Sequence, residues 1–136
     1  MDLSKLDTSR LSDEGVKLHL LHPTTSKPLF ADTAQKKPMT ITVLGADGER
    51  FDDLRRELID DRIAKMQDQR KPDMRAVQDA AIEHLASITV GWENLVVDGK
   101  PFEYSKANAR KLYAQKWIRE QVERFANNRA NFLPAT

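Results

Sequence analysis

Apolar and polar positions change period once along this chain. Over Val16-Lys17-Leu18-His19-Leu20-Leu21 they alternate for five positions, the spacing of a strand with one buried face. His22-Pro23-Thr24-Thr25-Ser26 breaks the run, and Pro23 holds His22 extended. Pro28-Leu29-Phe30 reads as a short returning strand, and residues 32–38 as a polar loop. Met39-Thr40-Ile41-Thr42-Val43-Leu44 is the strongest strand signal: alternating, rich in β-branched residues, and ended by Gly45-Ala46-Asp47-Gly48. Beyond it the period becomes helical. Apolar residues fall at 51, 54, 58, 59, 63 and 66, with Asp47 as a candidate cap and Lys71-Pro72 as the stop. Asp73 is placed to cap a second helix, whose face is Met74, Val77, Ala81, Leu85 and Ile88 and which stops near Thr89-Val90-Gly91. Asp98-Gly99 predicts a tight turn that folds Phe102 and Tyr104 back. Ser105 is the expected cap of a third helix through Ala107, Ala109, Leu112 and Tyr113. Trp117, Ile118, Val122 and Phe125 mark the stripe of a last one, and Pro134 bars further helix.

The expected fold is therefore α+β: a small N-terminal antiparallel sheet of two or three strands followed by about four helices, dominated by helix. It makes one domain of residues 1–136, with 1–15 as a mobile arm that orders on a partner, 16–45 as strands and 50–133 as helix. A chain of 136 residues is long enough for a self-sufficient core.

Composition mainly excludes. Lys and Arg number 22 and Asp and Glu 21, so the formal charge is +1, which fits neither a polycationic coat nor an acidic tail. The charge is uneven, however. Residues 74–99 carry one basic and four acidic groups, net −3, and residues 100–136 carry eight and three, net +5. Without cysteine there is no disulfide, thiolate nucleophile, Cys-ligated zinc or iron–sulfur cluster. No apolar run approaches the ~20 residues of a membrane span, and the first fifteen residues lack an apolar signal core. Membrane insertion and secretion by that route are not expected.

No catalytic constellation emerges. His19 and His22 point to opposite faces of an unbroken strand, and His84 has Ala80, not histidine, one turn before it. No metal or cofactor is expected. Asp52-Asp53 and Asp60-Asp61 lie among Arg55, Arg56 and Arg62, as the ion pairs of a solvated helix face do. No serine sits in a strained nucleophile elbow, and Gly45-x-x-Gly48 is too short to cradle a phosphate. An enzyme using Asp60, Asp61 or His84 has nothing to recommend it beyond their presence. The basic C-terminal residues come without a nucleic-acid reading motif, so nucleic acid is not expected either. Six of the nine aromatics fall between residues 92 and 125. Phe102 and Phe125 read as core, while Trp117 and Phe132 stand open between core and a groove for another chain.

One order of residues resembles a known family. Gly91-Trp92-Glu93-Asn94-Leu95 leads to Asp98-Gly99, then to Pro101-Phe102-Glu103-Tyr104-Ser105-Lys106-Ala107-Asn108-Ala109, and a closing helix ends at Asn131-Phe132. This order, over about residues 16–133, is similar to the tail assembly chaperones of long-tailed bacteriophages. The resemblance implies a non-enzymatic protein of the host cell cytoplasm. It would bind the helix-rich tape measure protein and keep it soluble while the tail is built. A longer, frameshifted form would add contact with the tail tube protein. Side-chain type nominates Trp92, Leu95, Trp117 and Phe132 as anchors in a partner groove, with Arg119 and Arg129 as its rim. A homo-oligomer is a further expectation. The alternative is a structural virion protein, a tail or connector component.

Overall fold

The structure is a computed structural model that describes residues 2–66 and 74–134, with side chains from 61 to 66 left undescribed. It is an α+β fold: a three-stranded antiparallel sheet and five helices, with a separate small hairpin. The elements are α1 (Ser9–Glu14), β1 (Val16–His19), β2 (Thr40–Val43), α2 (Glu49–Met66), α3 (Met74–Ile88), β3 (Thr89–Glu93), β4 (Val96–Val97), β5 (Lys100–Pro101), α4 (Lys106–Tyr113) and α5 (Lys116–Asn127). Short 3-10 turns lie at Leu3–Leu6 and Arg129–Phe132.

β2 is the central strand, as its composition suggests, with β1 and β3 on either side. Leu18 faces Ile41 across β1–β2, and Ile41 faces Trp92 across β2–β3. Leu18, Ile41 and Val43 are buried, whereas Lys17 and Glu93 on the other face pair at 3.0 Å in solvent. The third strand is not in the N-terminal third. Pro28-Leu29-Phe30 makes only single bridges, Leu21 to Pro28 and Phe30 to Pro38. Proline has no N–H, so neither residue 28 nor residue 38 can donate to a ladder. The place is taken by Thr89–Glu93, within the stretch expected to be helical, and the 50–133 region is thus interrupted by strands from 89 to 101.

α3 runs into β3 without a loop. The Thr89 hydroxyl donates to Leu85 O at 2.7 Å and takes a hydrogen bond from the Tyr113 hydroxyl, while the Tyr104 hydroxyl donates to Thr89 O at 2.8 Å. The Thr89 and Tyr113 hydroxyls, which burial would otherwise orphan, are thus satisfied. Val90 is the extra residue of a bulge, since Thr42 pairs Gly91 and Val43 pairs Thr89. The Asp98-Gly99 turn forms as read: both residues have positive φ, 53° and 74°, as a two-residue hairpin loop requires. Ser105 caps α4, accepting from Asn108 N at 3.0 Å.

Residues 44–46 join the helices to the sheet. Leu44 N donates to Ile88 O, Gly45 N to Ser12 O and Ala46 N to Ala126 O, at 2.9–3.0 Å. Three successive amides thereby reach the ends of α3, α1 and α5. Because α1 is one of these, residues 9–14 are not the arm that polarity predicted. Ser12 is buried, and the Asp13 carboxylate accepts from Arg50 N at 3.0 Å, taking over at the start of α2 the role foreseen for Asp47. Asp47 instead accepts from the Thr8 hydroxyl at 2.6 Å and from Arg129 Nε at 2.8 Å. The Lys71-Pro72 stop and the Asp73 cap lie outside the described residues.

Candidate functional site

The helical stripe of α3 divides in two. Leu85 and Ile88 are 3% and 0% exposed, but Met74 and Val77, on the same face, are 81% and 39% exposed. Ala81 between them is also exposed. On α2, Phe51 is buried, Leu54 and Leu58 are half-buried and Ile59 is exposed. Sequence periodicity finds the stripe but not its division, because apolar spacing shows which residues share a face and not how far the core extends beneath them. The spacing groups Met74 and Val77 with Ala81, Leu85 and Ile88 as one face. Met74 and Val77 are exposed apolar side chains, as are Leu3, Leu6, Ile59, Val90, Val97 and Leu133 elsewhere, whereas the nominated anchors for the most part are not.

Leu95 and Phe132 belong to the core, at 5% and 1% exposed. Phe132 fills the space beside Gly45 and meets Phe125 edge-on. Trp92 is half-buried: its indole N–H donates to Phe102 O at 2.6 Å, its ring stacks on Phe102 (centroids 5.6 Å, 3°), and Tyr104 meets it edge-on. Trp117 is half-buried against the core. Arg119 Nη1 donates to Tyr113 O and Ala114 O, closing the C-terminal end of α4. Arg129 is held by Asp47. The structure therefore brings Trp92 and Leu95 together, in a groove of about 450 Å³ with Val96, Pro101 and Phe102, but leaves Trp117, Arg119, Arg129 and Phe132 elsewhere.

The positive charge of the last quarter is also largely engaged within the fold. Lys106 Nζ donates to Ala86 O at 3.1 Å, Arg110 grips Glu83 through both Nε and Nη2, and Arg124 Nε donates to Glu120 O. Lys106 closes the end of α3 and Arg110 joins α4 to α3, while Arg124 bonds within α5.

His84 lines a cleft of about 240 Å³ between α2, α3 and α5, with Phe51, Arg55, Ala81, Glu123 and Asn127. That volume is below the roughly 300–1,000 Å³ of small-molecule sites. Burial, and then the nearby Arg55 charge, hold the imidazole below its ordinary pKa. Asp60 is exposed on α2 and does not line this cleft; the side chain of Asp61 lies outside the described residues. Among the described residues, no three His, Asp or Glu side chains converge as metal ligands, and no helix is long and apolar enough to cross a membrane. No family model, curated protein or solved structure matches the chain.

Proposed function

We propose that this protein is a non-enzymatic binding protein, a tail assembly chaperone that holds the tape measure protein of a long-tailed bacteriophage in the host cell cytoplasm. The observation that carries the reading is the bare half of the α3 stripe. Met74 and Val77 repeat at helical spacing, so the complementary surface is a helix laid along α3 with its own apolar stripe facing down. Covering Met74 is worth about 1.5–3 kcal/mol and covering Val77, already largely shielded, correspondingly less. Methionine suits the role, because an unbranched thioether adapts to irregular partners. The ordered Gly91-Trp92 to Asn131-Phe132 resemblance supports the same reading from the sequence side.

A longer frameshifted product would carry the contact with the tail tube protein. No bond is made or broken in this account: the protein supplies an apolar cover to a helix that would otherwise aggregate. Co-expression with fragments of the tape measure protein tests it. A soluble fragment that co-purifies with this chain is the expected result. A fragment that stays insoluble and never co-purifies contradicts the proposal.

A further inference from the structure

His84 sits where three helices meet. From α2, the Phe51 ring meets it edge-on (centroids 4.9 Å, 87°), and Arg55 lines the same cleft. From α5, Glu123 and Asn127 line it, and Ala81, Leu85 and Ile88 come from α3 itself. The Nδ1 atom is buried and has no hydrogen-bond partner. A neutral ring tolerates this by keeping its proton on Nε2 and leaving Nδ1 as a bare acceptor. A second proton must go on Nδ1. It would place a charged N–H without an acceptor in a cleft shared with Arg55. Among the described side chains, Glu123 is the one carboxylate in the cleft that favours the charged ring.

Among its described side chains, α2 also packs through the half-buried Leu54 and Leu58. Phe51 is the single buried residue among its described side chains, and its first turn is fixed separately by Asp13. We infer that His84 is an acid-sensitive latch, and that a proton added to its ring releases α2 from α3 and α5. Release uncovers Leu85 and Ile88, which continue the line of Met74, Val77 and Ala81. The apolar face of α3 then runs its full length. The latch stands without the docking reading, and only its effect on partner binding rests on that reading.

Amide hydrogen exchange of the full chain, corrected for intrinsic rates, tests the latch at about pH 7.5 and about pH 5.0, on either side of histidine titration. Amides of residues 54–60 should lose protection by up to about tenfold per pH unit below 6.5 and should exchange faster than those of β2 at both pH values. In His84→Leu, of similar bulk and without a titrating proton, α2 protection should not change between the two pH values. Unchanged α2 protection in the parent chain, or the same loss in His84→Leu, overturns the inference. Should His84→Leu not fold, the His84 ring resonance of the parent chain decides. Loss of α2 protection that follows the titration of that resonance supports the latch, and loss that does not follow it overturns the latch. A failed co-purification would leave each of these results standing.

Discussion

A methyl group added at Gly45 would meet the Ser12 hydroxyl oxygen and, at 2.9 Å, the ring of Phe132. Both neighbours are buried, so neither can swing away into solvent. Gly45→Ala is therefore expected to cost about 1–3 kcal/mol, as overpacking does. At Gly91, by contrast, an added Cβ meets nothing within 4 Å, and Gly91→Ala should stay within about 0.5 kcal/mol of the parent. Urea midpoints of the two variants check the pair, and equal effects would contradict the packing described here. Both glycines look alike as letters in the sequence, one after a strand and one after a helix. What separates them is a contact with residue 132, which no local pattern reveals. Asp98-Gly99 was legible because a two-residue turn is decided by the residues inside it. The cap of α2 was not, because it comes from Asp13, 37 residues before the amide it serves.

Elements formed by their own period were readable, and elements formed by a neighbour were not. β2 alternates over its whole length and lies in the middle of the sheet. β3 carries a bulge at Val90, which breaks the alternation, and it is a strand because β2 offers it an edge. The α3-to-β3 change of direction depends on one hydroxyl. Thr89→Val keeps the shape but leaves the buried Tyr113 hydroxyl without its acceptor. The expected loss is about 1–3 kcal/mol. Thr89→Ser, which keeps the acceptor, should lose less, and thermal or urea unfolding of the two variants decides it. A Thr89→Val chain as stable as Thr89→Ser would show that the hydroxyl network does not hold this junction.

The whole molecule is closed by its two ends. Thr8 ahead of α1 and Arg129 after α5 share the Asp47 carboxylate, while α1 and Phe132 pack on Gly45 between them. Hydrogen bonds from Thr8 and then Arg129 lower the Asp47 pKa below 3.8. Its contribution to stability is therefore complete above 3.8 and is lost as pH falls through the folded value. The His84 contribution has the same sign at higher pH: burial disfavours the charged ring, so stability begins to fall below 6.5. Urea midpoints measured against pH should show two declines. His84→Leu removes the upper one, and Asp47→Asn weakens the lower one, to which Asp2 and Asp7 also contribute; a single decline untouched by either variant would contradict the assignment.

At this scale the α+β class and the helical stripes were legible in the sequence, but which end of the α3 stripe the core leaves bare was not. The bulky aromatics that drew attention as anchors are the ones the core claims first, since large rings gain most from burial. The face left bare carries Met74 and Val77, at the point where α3 passes beyond the core. Met74→Asp with Val77→Asp tests that face most directly. Both positions are exposed and lie near the start of α3, where the helix dipole favours an acidic side chain. The variant should unfold within about 0.5 kcal/mol of the parent yet fail to co-purify with a tape measure fragment that the parent holds in solution. A variant that retains the fragment as well as the parent does would contradict the claim that this chain works by covering another helix with α3.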